Sequence, residues 1–143
     1  MLQMTLGMAF SQLALAVLLV IVFFGMTIGA IPNTTMLNYR CGAEIDPLSL
    51  EWDAINTVIV RLIRQTQYKP SYKYNTREPV SNTLRKSCYG HAKCSRQLPR
   101  VDCLTCLEAA DTKIIQECGM ARSARMQLQD CYLRFSLSYF EEH

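Results

Sequence analysis

Cysteine is the residue type in this chain with the richest chemistry. The 143 residues include seven cysteines, and six of them fall between residues 88 and 131. In an oxidising compartment such a density is typical of a disulfide framework, which stabilises a small domain. Because the number is odd, one thiol is left over, and spacing alone does not assign the pairs. The cysteines are Cys41, Cys88, Cys94, Cys103, Cys106, Cys118 and Cys131.

Two other chemistries fit part of this pattern. Cys103 and Cys106 have the C-x2-C spacing of a tetrahedral zinc site, but a zinc ribbon or finger needs a second close pair. The histidines, His91 and His143, do not supply one. A thioredoxin-type redox pair needs a preceding strand and a low-pKa thiol at a helix start. We therefore favour disulfides and expect no metal and no cofactor.

The first thirty residues differ from the rest because they contain no charged side chain. Residues 13–26 form an apolar run, followed by small residues at Thr27, Gly29 and Ala30 that suit a cleavage site. We expect residues 1–30 to be a signal peptide and residues 31–143 to be a single secreted domain. The alternative is a membrane anchor, because a basic residue before the run is missing and Met4–Phe10 could lengthen it.

Asn33 begins an N-x-Thr sequon just after the proposed cut, so it is a candidate glycosylation site if the chain enters the secretory pathway.

The net charge and the motifs exclude several classes of function. Fifteen Lys and Arg against twelve Asp and Glu give a net charge of +3, which is too weak a field for binding the phosphate backbone of nucleic acid. The sequence lacks a histidine beside a paired cysteine, a G-x-S-x-G motif and a recognisable pair of catalytic carboxylates. We therefore expect a protein that is not an enzyme.

Two segments have the apolar spacing of helices. The first runs from Leu50 to Arg64, with Ser49 as its N-cap and Trp52 in the core. The second begins at an Asp102 cap and ends near Gly119. Its predicted apolar stripe is Leu104, Leu107, Ala110, Ile114 and Ile115.

The other segments indicate strands. Residues 68–79 resemble an edge strand with solvated charges, and from residue 124 onwards the apolar period is two. One apolar face carries Ala124, Met126 and Leu128, and a turn near Gln129 and Asp130 precedes a second apolar set, Cys131, Leu133, Phe135, Leu137 and Tyr139. The residues expected to be exposed are Arg125, Tyr132, Arg134, Ser136 and Ser138. The pattern predicts an α+β domain.

Cys94, Cys103 and Cys106 have the spacing C-x8-C-x2-C. The five residues before Cys94 are Tyr89-Gly90-His91-Ala92-Lys93, and an A-R-x-x-L-x-x-C segment ends at Cys131. Over residues 38–140 the chain thus resembles the plant ginkbilobin-homologous, or cysteine-rich stress-antifungal, domain. The resemblance implies two helices packed on a five-stranded antiparallel sheet with three disulfides. The implied pairs are Cys41–Cys118, Cys94–Cys103 and Cys106–Cys131. Cys88 then remains as a buried thiol or as the link of a disulfide-bonded homodimer.

Ginkbilobin-like members bind mannose through an Asn, an Arg and a Glu, whose positions here are Gly42, Arg125 and Ser136. Only the arginine is retained, and a short serine cannot replace the charge-assisted bonds of a carboxylate. Glu141 and Glu142 are not replacements if the strand continues, because Glu141 has the wrong parity and Glu142 lies about 20 Å along. The alternative for Arg125 is a structural salt bridge.

The resemblance implies two functions. The first is a secreted plant defence or stress protein of the apoplast, with antifungal action or recognition of mannose-type cell-wall glycans. The second is an extracellular module that binds a protein partner, as a soluble ligand or decoy for related receptor ectodomains. In the second case no sugar is bound.

Overall fold

Two helices pack on one face of a five-stranded antiparallel sheet in the computed structural model, which describes residues 31–81 and 85–142. The predicted α+β fold is confirmed. The proposed leader and its membrane-anchor alternative lie outside the described residues. In chain order the elements are β1 (Met36–Cys41), α1 (Leu50–Gln65), β2 (Lys73–Pro79), β3 (Ser87–Cys94), α2 (Arg100–Cys118), β4 (Ser123–Leu128) and β5 (Cys131–Ser136).

The sheet has the strand order β1-β4-β5-β3-β2. Strands β4 and β5 form a hairpin whose turn is Gln129 and Asp130, as the change of apolar parity predicts. The predicted edge strand is present as β2, but it is shorter than expected. Two 3₁₀ turns, Thr66–Tyr68 and Pro70–Tyr72, occupy the start of that segment.

Helix α1 begins where the sequence predicts. The Ser49 hydroxyl accepts a hydrogen bond from the Trp52 amide at 3.2 Å, which satisfies one of the free N–H groups of the first turn. Trp52 packs against the core but is only half-buried. The residues of α1 that enter the core are Ala54, Ile55, Val58, Ile59 and Leu62.

The prediction for the start of helix α2 is wrong. The N-cap is Pro99, whose carbonyl accepts hydrogen bonds from the amides of Asp102 and Cys103, and Asp102 lies inside the first turn. Ile115 was expected in the apolar stripe but is 46% exposed. The buried stripe contains Cys103, Cys106, Leu107, Ala110 and Ile114, and Ile115 is one residue, about 100°, away from it.

The strands alternate as predicted up to the end of β5. Residues 124, 126, 128, 131, 133 and 135 are all buried against the helices. The expectation for Tyr139 is wrong: it is 68% exposed because β5 ends at Ser136, so the alternation does not continue. At Gly90 the sheet approaches α1 closely, since an added Cβ would lie 2.3 Å from Val58 Cγ1 and 2.8 Å from Leu62 Cδ1.

Three disulfides connect these elements, and they are the pairs that the resemblance implies. Cys41–Cys118 joins β1 to the end of α2, Cys94–Cys103 joins β3 to the start of α2, and Cys106–Cys131 joins α2 to β5. Cys103 and Cys106 therefore belong to different disulfides, and neither is available as a zinc ligand or as half of a C-x2-C redox pair.

The seventh cysteine, Cys88, is a free thiol with no exposed surface. Burial raises the pKa of this thiol to about 12. Of the two expectations for Cys88, the structure favours the buried thiol. An intermolecular disulfide would require β3 to open, so the Cys88-linked homodimer does not fit this fold.

Within the described ranges, 31–81 and 85–142, no helix has both the length and the apolar character that crossing a membrane requires.

Candidate functional site

The sheet face opposite the two helices, here called the outer face, carries a row of polar residues that crosses all five strands. Cross-strand partners share a face, and the register pairs Arg40 with Arg125, Arg125 with Arg134, Arg134 with His91, and His91 with Asn75. Adjacent strands are about 4.8 Å apart, so the three arginines span roughly 10 Å. Arg40, Arg125 and Arg134 are called the arginine row below.

The neighbouring rows of the outer face are also polar and cationic. On one side lie Asn38, Gln127, Tyr132, Lys93 and Lys73, and on the other lie Ser123, Ser136, Tyr89 and Arg77. None of these row residues is acidic. The outer face is therefore much more basic than the net charge of +3 suggests.

Residues 137–142, here called the C-terminal segment, fold back over this face. The amide of Ser138 donates to the hydroxyl of Ser136, which turns the chain at the end of β5. The Tyr139 ring packs edge-to-face on Tyr89, and the Arg134 guanidinium lies 3.9 Å from the centre of the Phe140 ring. The C-terminal segment thus contacts the outer face at several points along its length.

Glu142 brings a carboxylate onto the outer face. Its Oε1 accepts hydrogen bonds from Arg134 Nη1 at 2.5 Å and from the Tyr132 hydroxyl at 3.0 Å. Burial raises the pKa of the Glu142 carboxyl, but the two hydrogen bonds and the Arg134 charge outweigh burial and lower that pKa. The sequence places Glu142 about 20 Å along the strand if the strand continues. The strand instead ends at Ser136, and the chain reverses so that Glu142 reaches Arg134.

Tyr132 was expected to be exposed, yet it is 9% exposed. The centre of its ring lies 6.0 Å from that of His91 and 5.3 Å from the Lys93 ammonium, and its hydroxyl donates to Glu142. Burial, together with the hydrogen bond to Glu142, raises the pKa of Tyr132 to about 12. Tyr132 is therefore a neutral hydrogen-bond donor at physiological pH.

His91 lies beside Arg134 on the outer face. Its Nδ1 donates to Asn75 Oδ1 at 2.5 Å, which fixes the orientation of the ring. Burial lowers the pKa of His91, and the cationic neighbours Lys93, Lys73 and Arg134 lower it further, against the opposing effect of Glu142. At neutral pH the imidazole is uncharged, so it adds polarity but no charge to the row.

Two shallow depressions flank Arg125. One, of about 110 Å³, is lined by the arginine row together with Ser123, Ser136 and the backbone beside them. The other, of about 220 Å³, is lined by Asn38, Gln127, Tyr132 and Arg125 itself. Both offer hydroxyl or amide groups beside a guanidinium.

A larger open cleft, of about 620 Å³, lies between the C-terminal segment and strands β2 and β3. Its lining includes Arg77, Tyr89, Tyr139 and Glu141. The Tyr139 hydroxyl donates to the Glu141 carboxylate at 3.1 Å, so this carboxylate is hydrogen-bonded within the C-terminal segment.

The structure brings the three positions of the family's mannose site close together. Arg125 and Ser136 line the same 110 Å³ depression, and the Gly42 amide donates to the carbonyl of Ser123, a third lining residue, at 2.7 Å. A Cβ at position 42 would lie 2.3 Å from Ser123 Oγ. The glycine therefore allows β1 and β4 to pack closely where the family has an asparagine.

Arg125 makes no salt bridge with any residue of the described ranges, so the structural ion pair considered from the sequence is not formed there. Its Nε is buried and has no hydrogen-bond partner among these residues. Leaving a buried donor without a partner is costly. The Nε of Arg125 thus lies in the sheet without an acceptor among the described residues.

Asn33 is exposed just before β1 and is fixed by its neighbours. Its amide donates to Asp130 Oδ2 at 2.7 Å, and its side-chain oxygen accepts from the Thr35 amide at 3.0 Å. Glycosylation at Asn33 stays a prediction.

Sequence reasoning did not find the arginine row. It placed Arg134 among exposed residues but gave no role to Arg40, His91 or Asn75. Alternation along each strand was the evidence that the sequence offered. It places Arg125 and Gln127 on one face of β4, and Tyr132 and Arg134 on one face of β5. The register between distant strands was needed to connect them.

Comparisons with known proteins agree with this fold. The family model described as salt stress response/antifungal matches residues 40–138. Antifungal protein ginkbilobin-like protein 1 of Picea sitchensis is 28% identical over 123 residues, covering 85% of this chain and 90% of the relative. Antifungal protein ginkbilobin-2 of Ginkgo biloba is 26% identical over 108 residues, covering 76% of this chain and 80% of the relative.

A solved structure is similar as well. The tandem DUF26 ectodomain of the Arabidopsis thaliana cysteine-rich receptor-like protein PDLP5 superposes with a TM-score of 0.65 at 21% identity. The match covers 74% of this chain and 51% of the ectodomain, so this chain spans about half of that structure's length. At this level of identity the similarity concerns the fold.

Proposed function

Because the chain belongs to the salt stress response/antifungal family, we propose that it is a secreted, non-enzymatic defence or stress protein that recognises a cell-wall glycan with its outer face. The observation that carries the proposal is the depression shared by Arg125 and Ser136, where a guanidinium and two hydroxyls converge on open surface. Converging donors and acceptors of this kind hold sugar hydroxyls.

Secretion is supported by three disulfides, which persist in oxidising compartments, and by the apolar leader in the sequence. The relatives in Picea sitchensis and Ginkgo biloba are named as antifungal proteins, which supports a role in defence. In a plant this location corresponds to the apoplast.

For mannose-type glycans, the site retains one of the family's three side chains. Arg125 supplies donors, but Ser136 replaces a carboxylate that would accept two hydroxyl protons, and Gly42 has no side chain. The Glu142 carboxylate is nearby, but it is bound to Arg134 and Tyr132. We therefore expect weak mannose binding in the parent protein and stronger binding when the missing groups are restored.

The test is a calorimetric titration of the oxidised protein with mannose and with mannan. Arg125→Ala is compared with Arg64→Ala, which removes an exposed arginine from α1 on the other side of the sheet. Saturable binding that only Arg125→Ala abolishes supports a mannose-type site. Growth inhibition of a filamentous fungus by the parent, and its loss in the same variant, would link that site to defence.

If the parent protein binds neither mannose nor mannan, a variant that restores the family's mannose-site side chains shows why. Gly42→Asn with Ser136→Glu restores the family's side chains, and Ser123→Ala removes the hydroxyl that the new Cβ would meet. Binding gained only in this triple variant would mean that the scaffold is intact and that the parent has lost the lectin site. The glycan proposal would then give way to a protein partner.

The second candidate, an extracellular protein-interaction module, is favoured by the exposed edge strand β1. Every residue of β1 is exposed, including Leu37 and Tyr39 at 56% and 43%. An edge strand presents unpaired backbone groups to a partner. The related solved structure is a receptor-like ectodomain. Specific capture of such an ectodomain, abolished by Leu37→Lys and unaffected by Arg125→Ala, would favour this function over the first.

A further inference from the structure

We propose that the arginine row binds a carboxylated oligosaccharide of the uronic-acid class, with Arg125 as its central contact. The inference deepens the glycan recognition proposed above and rests on it. It concerns the chemistry of the ligand, which the neutral mannose site of the family does not address.

Uncompensated charge is the first argument. Arg40, Arg125 and Arg134 lie on three adjacent strands and directly oppose one another, an arrangement in which like charges repel. Of these three arginines, only Arg134 forms a salt bridge with a described residue, Glu142. A ligand that places carboxylates along the row would relieve this repulsion and would form charge-assisted hydrogen bonds with the guanidinium groups.

The internal contact with Glu142 is the second argument. A carboxylate already binds at one end of the row, where it accepts from the guanidinium of Arg134 and from the hydroxyl of Tyr132. The outer face therefore has the geometry to hold a carboxylate beside a neutral hydroxyl donor. A guanidinium and a hydroxyl also lie together at Arg40 and Arg125, where Ser123 and Ser136 supply the hydroxyls.

The form of the depressions favours a saccharide over an acidic peptide. They hold about 110 and 220 Å³, and most of the residues that line them carry guanidinium, hydroxyl or amide groups. Such groups match a sugar ring that bears one carboxylate and several hydroxyls. A stable peptide interface would need aromatic or aliphatic anchors buried at its centre. The depression that the three arginines line offers only about 110 Å³ for such an anchor.

The experiment is a titration of the oxidised full chain with oligogalacturonate, with neutral mannan and with polyglutamate of matched length, at two salt concentrations. We expect saturable binding of oligogalacturonate that weakens as salt increases. Polyglutamate should bind at least about tenfold more weakly, because it lacks ring hydroxyls. Arg40→Gln and Arg125→Gln should each weaken binding by about tenfold, the equivalent of one charge-assisted hydrogen bond.

Two further variants keep the result interpretable. Arg64→Gln removes the same charge from α1 and should leave the affinity unchanged, which separates a local contact from net charge. Glu142→Gln frees Arg134 and should strengthen oligogalacturonate binding severalfold. Because this variant is expected to gain affinity, a folding defect cannot imitate the result.

The outcomes distinguish the two proposals. Mannan binding that depends on Arg125, without oligogalacturonate binding, overturns the uronate proposal and leaves glycan recognition standing. Absence of binding to both saccharides overturns both. Equal binding of polyglutamate and oligogalacturonate, or an equal loss with Arg64→Gln, shows a response to charge alone and overturns the uronate proposal.

Discussion

The carboxylate of Glu142 lies 2.5 Å from Nη1 of Arg134, eight residues earlier in the chain, at the centre of the outer face. The contact reverses the direction of the chain after β5 and places an acid on an otherwise basic surface. The Phe140 ring lies over the same guanidinium. The ionised Glu142 side chain therefore helps to hold the C-terminal segment in place, beside the ring contacts of Tyr139 and Phe140.

We expect the C-terminal segment to detach at acidic pH. The folded-state pKa of Glu142 is below its ordinary value of 4.5, so its ion pair stabilises the attached segment above that value. This contribution is lost as the pH falls through the lowered pKa. NMR of the Tyr139 and Phe140 ring signals from neutral to acidic pH measures the detachment, because both rings would lose their contacts with Tyr89 and Arg134. Glu142→Gln should give the detached ring signals already at neutral pH, and ring signals that keep their attached shifts in this variant would contradict the prediction.

Cys88 should not react with a thiol reagent in the native protein. The thiolate is the reactive form, and a fully buried thiol with a pKa of about 12 is almost entirely protonated at neutral pH. Ellman's reagent should detect no thiol in the native state and one thiol in denaturant, and Cys88→Ala should abolish that signal. Rapid native labelling, or a dimer on non-reducing gels that Cys88→Ala removes, would contradict this expectation.

Removal of the Cys41–Cys118 disulfide should strongly destabilise the domain. The bridge spans 77 residues, and loop-closure entropy assigns such a bridge on the order of 4 kcal/mol. Cys41 is exposed and Cys118 is half-buried, so Cys41→Ser with Cys118→Ser opens no large cavity. Urea denaturation measures the loss of unfolding free energy.

The matched comparison for this bridge is Cys94→Ala with Cys103→Ala. That bridge spans only 9 residues, for which loop closure gives about 3 kcal/mol, although both cysteines are buried and their removal adds a packing cost. A loss of less than about 1 kcal/mol for the Cys41–Cys118 pair would show that residual structure in the unfolded chain replaces the constraint.

Gly90→Ala should destabilise the packing of α1 on the sheet. The new methyl group would overlap Val58 Cγ1 and Leu62 Cδ1, and overpacking of a core costs about 1–3 kcal/mol. Thermal unfolding measures the cost. Combining Gly90→Ala with Val58→Ala should cost less than the sum of the single changes, since one methyl group occupies space that the other vacates. Additive losses would mean that the two sites do not compete for space.

The fold follows largely from local patterns in the sequence, together with the resemblance. Ser49 and Gly119 bound their helices as predicted, and the change of apolar parity located the β4–β5 turn. The errors have local causes. Helix α2 begins at Arg100, two residues before Asp102, so Asp102 lies inside the first turn, and buried cysteines in α2 shift the apolar stripe away from Ile115.

The site was much less accessible to sequence reasoning. Arg40 and Arg125 are 85 positions apart, so no periodicity connects them, and the arginine row becomes visible only with the register of β1, β4 and β5. Glu142 was placed by extending a strand that in fact ends at Ser136. The reversal depends on tertiary contacts with Arg134 and Tyr132, which a parity argument does not include.

The overlapping arrangement of the bridges has a consequence for proteolysis. A single backbone cut between Cys41 and Cys118 leaves the two fragments joined by that disulfide, and a cut between Cys118 and Cys131 leaves them joined through Cys106–Cys131. A nicked molecule would therefore keep its mass, and its fragments would separate only after reduction. For a protein exposed to the proteases of an attacking microbe, one successful cleavage in this region does not release any part of the domain.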